Sequence, residues 1–201
     1  MSLIIIIAIL APLVAPTNPF DPASLNLMNG FTPPMTPNMF TGQSFVMGAD
    51  DQGRDLLSAI IYGLRVSLFV GVMSVLLAMG IGVSLGLVAG YVGGWLDNLI
   101  MRIADIQLTF PSILIAMLIF GVLRGIIPPD LRDEMAIFVL IAAIGLSEWV
   151  PFARTVRATT LVEKEKEYVQ AARLIGLRRG QIMWRHILSL IHISEPTRLE
   201  R

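Results

Sequence analysis

The 201-residue chain has no cysteine, only two histidines, and just 15% charged residues. Without cysteine there is no disulfide framework, no thiolate nucleophile and no thiolate metal site. The histidines, His186 and His192, have no paired ligands in sequence. No HExxH, GxSxG or Ser/His/Asp pattern accompanies them, so an enzyme is the least favoured class and no metal site is expected. No GxxxxGK[ST] loop is present either, so nucleotide chemistry has to come from elsewhere. Basic and acidic residues balance at 15 each. Bulk charge therefore offers nothing to nucleic acid.

What is abundant is apolar sequence. Hydrophobic residues make up 55% of the chain, against about 45–50% in an ordinary soluble domain. The excess lies in long runs, which predicts an all-α, polytopic transmembrane helix bundle. Residues 3–14, LIIIIAILAPLV, fall short of the roughly 20 needed to span a bilayer. They lack the basic start and small-x-small site of a signal peptide. They read as the latter part of a first transmembrane helix, incomplete over 1–14. Residues 15–55 are proline-rich and extramembrane, with Pro16, Pro19, Pro22, Pro33, Pro34 and Pro37 breaking regular structure. The segment closes on Gly48-Ala49-Asp50-Asp51-Gln52-Gly53-Arg54-Asp55, an acidic turn with Asp55 as a helix N-cap.

Residues 66–90 make a second span. Ala78, Gly82, Gly86 and Gly90 recur every fourth residue and share one helix face, a packing surface for another helix. Arg65 stands at its outer end, where a long stem can snorkel. Residues 91–105 read as a polar-flanked turn around Gly93-Gly94. A third span covers 106–123, with Pro111 tolerated near its start. A fourth covers 135–150 and ends at Pro151. The expected total is about four spans, the first incomplete.

Charge placement orients them. With the first helix starting inside, inside loops receive Arg102, Arg154, Arg157, Lys164, Lys166, Arg173, Arg178, Arg179 and Arg185. Outside segments receive only Arg54, Arg65, Arg124 and Arg132. The positive-inside rule favours this orientation, so the loop 160–186 is cytoplasmic. Within it, Tyr168, Ala171, Ala172 and Ile175 are expected on one helix side, with Lys166, Gln170 and Arg173 on another. Alanines bury little area, so this face suits close docking into a protein groove better than adsorption to lipid. Gly176 suits a C-terminal cap.

Gln170-Ala171-Ala172, then Gly176, then His186-Ile187-Leu188, resembles the EAA coupling loop of ABC-transporter permease subunits from bacterial importers. Further blocks carry the same resemblance. They are Gly48-x-Asp50-x-x-Gly53-Arg54-Asp55, Ile61-Tyr62-Gly63-x-Arg65-x-Ser67-Leu68, Gly90-Tyr91-x-Gly93-Gly94-x-x-Asp97, Met101-Arg102-x-x-Asp105 and Phe110-Pro111-Ser112. Together they are similar to the dipeptide/oligopeptide/nickel branch, second-permease type. The resemblance implies a type I importer permease fold over 56–188 in a bacterial inner membrane. It implies a second permease subunit, two cytoplasmic ATPases that bind ATP and Mg²⁺, and an extracytoplasmic solute-binding protein, with no cofactor on this chain. Glu167, Tyr168, Gln170, Ala171, Ala172 and Gly176 would meet the ATPase. Peptides are the implied cargo, with nickel or another small solute as the alternative. From another class, a membrane scaffold with a lipid-binding basic loop is the competing reading.

Two departures stand out. Gln170 replaces the usual glutamate, and Ser189 stands where a proline is usual. Residues 188–198, LSLIHISEPTR, look like translated sequencing-library adapter, so 189–201 are expected to be a non-native tail.

Overall fold

The computed structural model describes residues 2–21, 25–177, 180 and 183. Among them there is no strand, only isolated bridges at Pro37–Ser44 and Ala49–Asp55. The helices are α1 (Ser2–Ile9), α2 (Ala11–Val14), α3 (Leu56–Val92), α4 (Gly94–Leu108), α5 (Ser112–Ile126), α6 (Arg132–Ser147), α7 (Trp149–Glu163) and α8 (Glu167–Leu174). Two compact units, Met1–Val72 and Met73–Arg201, divide the chain inside α3. The adapter-like tail and His186-Ile187-Leu188 lie outside the described residues.

In the first unit, the proline-rich segment holds itself together with side-chain hydrogen bonds rather than regular structure. Asn29 is buried, donating from Nδ2 to Gln43 Oε1 (2.7 Å) and accepting from the Thr41 hydroxyl. Buried Thr32 donates to the Asn29 carbonyl and accepts from Asn38 Nδ2. These bonds replace the backbone donors that proline removes. Asp55 does cap α3: its carboxylate accepts from the Ser58 N–H (3.0 Å) and hydroxyl. Ser58, fully buried, also accepts from the Thr17 N–H (3.1 Å), which ties the end of the first run to the start of α3.

Among the described residues, α3 is the one helix long and apolar enough to cross a membrane by itself. Only 22% of its most apolar window is buried in the protein, so most of that surface is left for lipid. Two more spans arise if each bent helix pair counts as one: α4 with α5, bent by 99°, and Pro129–Ser147 with α7, bent by 42°. The described residues thus hold up to three spans, the first run consists of the short α1 and α2, and three of the expected boundaries differ.

The first correction concerns 91–105. The turn there is confined to Gly93 and Gly94, with φ of 69° and 62°, and the rest is helix α4. Two successive left-handed residues are inexpensive only for glycine, and the polar residues after the turn are carried on α4, where Asp97 and Asp105 pair with arginines of α7. The second concerns Pro111. It does not sit inside a helix but separates α4 from α5, because it disfavours helical backbone at Phe110. The third concerns Pro151. It does not end the fourth span; it lies in the first turn of α7, where its missing N–H breaks the bond to Ser147 but does not stop the helix.

Candidate functional site

The site is built where α3, α4, α7 and α8 meet in the second unit. Its foundation is the small-residue face of α3. A methyl group added at Gly82 would lie 2.5 Å from the Trp149 carbonyl oxygen, and at Gly86 2.4 Å from that of Ala153. At Gly90 it would lie 2.7 Å from Thr160 Cβ. Ala78, on the same face, is buried. So α3 and α7 touch backbone to backbone, as small residues every fourth position permit. The partners rise together in number, from Ser74 on Ile141 through Gly82 on Trp149 to Gly90 on Thr160. The chain from α6 into α7 therefore runs parallel to α3.

Helix α4 lies antiparallel to α7. Asp97 holds Arg157 through two bonds, Nε to Oδ1 at 2.5 Å and Nη2 to Oδ2 at 2.7 Å. Asp105 pairs with Arg154. Gln107 sits at the bend between α6 and α7. Its Nε2 donates to the Ser147 carbonyl (2.8 Å) and its Oε1 accepts from Trp149 Nε1 (2.8 Å). Ser147 is the residue whose carbonyl loses its helical donor because Pro151 has no N–H, so Gln107 supplies what the proline removes. Apolar contacts fill the same junction, with Ala89, Ile100, Ala104, Trp149, Val150 and Ala153 forming one buried cluster.

Helix α8 rests on this frame. Val169 and Ala172 are buried against Leu87 of α3 and Val156 of α7. Removing the Val169 side chain from water contributes about 2 kcal/mol. The short turn between α7 and α8 is fastened by Glu163, which accepts from Lys166 Nζ (2.6 Å) and the Tyr168 hydroxyl (2.8 Å). Burial, then the bond to the Glu163 carboxylate and its charge, pushes the Tyr168 phenol up to about 12. Lys164 Nζ donates to the Gly90 carbonyl (3.2 Å) near the C-terminus of α3, where a cation suits unpaired carbonyls. Thus α8 is bound to the ends of two long helices at once.

This arrangement divides the expected α8 face. Tyr168 is half-buried and Ala172 is buried, but Ala171 and Ile175 are exposed. The four do not share one side, because Val169 takes the inner position between Tyr168 and Ala172. The outward surface consists of Gln170, Ala171, Leu174 and Ile175, ending at exposed Gly176 with φ of 81°. Leu174 is 89% exposed and Ile175 78%. Glu167 is exposed at the first turn.

The comparisons with known proteins bear on this geometry. The family model described as "Binding-protein-dependent transport system inner membrane component" matches residues 82–192, which include the whole α3–α7–α8 junction. The chain belongs to this family. Among relatives, the dipeptide transport system permease protein DppC of Alkalihalophilus pseudofirmus is 39% identical over 92% of this chain and 54% of its own length. The oligopeptide permease OppC of Bacillus subtilis is 34% identical over 92% of this chain and 54% of its own. The glutathione permease GsiD of Pectobacterium atrosepticum is 39% identical over 71% and 44%. The chain spans about half the length of the curated relatives it matches.

In this inner membrane component, the motif residues expected outside the membrane form a separate structural turn in the first unit. Asp50 Oδ1 accepts from the Gln52 and Arg54 N–H groups, both at 2.9 Å, and Oδ2 from Arg54 Nε at 2.7 Å. Burial opposes ionisation of Asp50, yet these donors outweigh it and hold the carboxyl below its ordinary value. Gly53, at φ 74°, passes so close to Asn26 that a Cβ would lie 2.0 Å from its carbonyl oxygen. Gly48, at φ 84°, also passes close to Thr32, where a Cβ would lie 2.7 Å from the carbonyl oxygen. Gly48, Asp50, Gly53, Arg54 and Asp55 thus shape one turn and start α3.

From sequence, Asp105 belongs to a family-like block, and Arg154 and Arg157 count among loop charges. All three are spent on pairs within the family domain. The signal was there: Asp97 and Asp105, eight apart, and Arg154 and Arg157, three apart, each fall on one helix face. Gln107, Glu163 and Val169 gave no such signal, since their roles exist only across helices.

Proposed function

We propose that this chain acts as a permease subunit of an ATP-driven importer for di- or oligopeptides, in a bacterial inner membrane and crossing it several times. The relatives named above are peptide and glutathione permeases, and they support this cargo class. The single observation that carries the mechanism is the docking of α8 on Leu87 and Val156 while Gln170, Ala171, Leu174 and Ile175 stay exposed. A cytoplasmic ATPase seated on that outer surface would push a helix already fixed to α3 and α7. Motion would then pass into the membrane along two parallel helices in near-backbone contact. ATP and Mg²⁺ belong to the ATPase partners. A second permease completes the pathway, and a solute-binding protein delivers peptide from outside.

The test uses the full-length subunit reconstituted with its partner permease, ATPases and binding protein. Ala171→Asp puts a charge on the exposed face of α8 without touching its packing. Peptide uptake is expected to fall at least tenfold, while insertion and thermal midpoint stay unchanged. Ala172→Asp is expected to lower the thermal midpoint as well, because that side chain is buried. Full uptake by Ala171→Asp would rule out the outer face as the coupling surface.

A further inference from the structure

A second feature lies in the first unit, away from the coupling helix. Ile5 and Ile9 of α1 and Leu68, Phe69 and Val72 of α3 line an open groove of about 330 Å³. Ala8 and Arg65 complete the lining, and Arg65 is the lining residue of α3 nearest the helix start. The volume lies at the low end of the ~300–1,000 Å³ typical of small-molecule sites. Among the described residues Arg65 has no hydrogen bond or ion pair, whereas Arg54, Arg154 and Arg157 each have a carboxylate. A guanidinium left without an anion beside an apolar trough is an unbalanced arrangement in a membrane helix.

The depth of Arg65 shows which anion fits. The 37 residues of α3 rise about 55 Å at 1.5 Å per residue. A bilayer measures roughly 40–45 Å across its headgroup regions and about 30 Å across its hydrocarbon. Each end of α3 therefore extends about 12 Å past the hydrocarbon, and Arg65, ten residues into the helix, stands at that boundary. There the abundant anion is lipid phosphate, and the guanidinium fork matches phosphate oxygens in a bidentate way. The trough beside it offers aliphatic and aromatic surface toward the bilayer interior, where an acyl chain lies.

We propose that Arg65 and this groove form a binding site for one phospholipid, with its phosphate on the guanidinium and one acyl chain between α1 and α3. The lipid fills the groove and supplies the missing counter-charge. Placing this lipid in the outer leaflet rests on the topology of the proposed importer, but the site itself does not.

Native mass spectrometry of the full-length subunit tests this, with palmitoyl-oleoyl phosphatidylglycerol as the probe. One tightly held lipid is expected on the wild type, with at least fivefold lower occupancy in Arg65→Gln and intermediate occupancy in Arg65→Lys. Palmitoyl-oleoyl glycerol, which has the same chains and no phosphate, is expected not to compete. Val72→Trp, which fills the groove and keeps the arginine, is expected to lower occupancy too. An unchanged thermal midpoint in Arg65→Lys shows that the fold survives. Equal occupancy in wild type and Arg65→Gln overturns the proposal, as does full competition by the phosphate-free lipid. Both readouts are independent of uptake, so the importer reading stands or falls separately.

Discussion

Replacing Gly86 and Gly80 by alanine, one at a time, separates helix propensity from helix packing within α3. The two residues are less than two turns apart. At Gly80 an added Cβ meets nothing within 4 Å, whereas at Gly86 it lands 2.4 Å from the Ala153 carbonyl oxygen and 3.0 Å from Ala153 Cα. Both are backbone atoms, so no side chain can rotate away. Relief requires α7 to retreat by most of an ångström. A gap of 0.5–1 Å forfeits roughly a quarter to a half of each dispersion well along the contact. Overpacking of this kind costs about 1–3 kcal/mol. Alanine in an open helix position gains up to about 1 kcal/mol over glycine. Gly80→Ala is therefore expected to be neutral or stabilising and Gly86→Ala destabilising, about 2 kcal/mol or more apart. The assay is unfolding of the full-length subunit in one detergent, by graded SDS titration read by tryptophan fluorescence. Trp149 lies in the contact and reports on it directly. Equal midpoints for the two variants would refute the claim that α3 and α7 touch through the glycine face.

Other consequences follow from the same frame. Gln107→Leu removes the donor to Ser147, leaving a buried carbonyl unpaired at a cost of about 1–3 kcal/mol, and the same SDS titration should register it. Arg157→Lys cannot reproduce the two-bond grip on Asp97, so it is expected to cost about 1 kcal/mol, while Asp97→Asn should cost at least as much. A double-mutant cycle measures that coupling, and strict additivity would count against it. For Tyr168 the sign runs from a raised folded value. The bond of its neutral phenol to Glu163 contributes fully below pH 10 and is lost as pH rises through about 12. Ultraviolet titration should show a late-ionising tyrosine in that window that is absent in Tyr168→Phe, and a titration curve unchanged by that substitution would contradict the buried bond.

Much of this protein was legible from one-dimensional pattern. Long apolar runs with few charges force helices, because backbone polar groups in lipid have no other partner. The four-residue spacing of Ala78, Gly82, Gly86 and Gly90 already placed them on one face. Basic residues crowd the segments after 150, which is the charge pattern the expected orientation rests on. The Asp55 cap was also readable, since an N-cap acts on residues two or three positions away.

Other features needed the fold. Pro111 and Pro151 look alike in sequence, yet one separates two helices at 99° and the other sits in a first turn at a 42° bend. What distinguishes them is tertiary: Gln107, forty residues away, repairs the carbonyl that Pro151 leaves bare. Ala171 and Ala172 are adjacent and chemically identical, so no pattern could tell them apart. Only the position of Leu87 and Val156 decides that Ala172 is buried and Ala171 faces outward. Sequence alone determined that this chain is a bundle of membrane helices with a basic polar loop, because that follows from local hydropathy and charge. Tertiary structure decided which side of α8 is free, because burial depends on residues brought together from α3, α7 and α8.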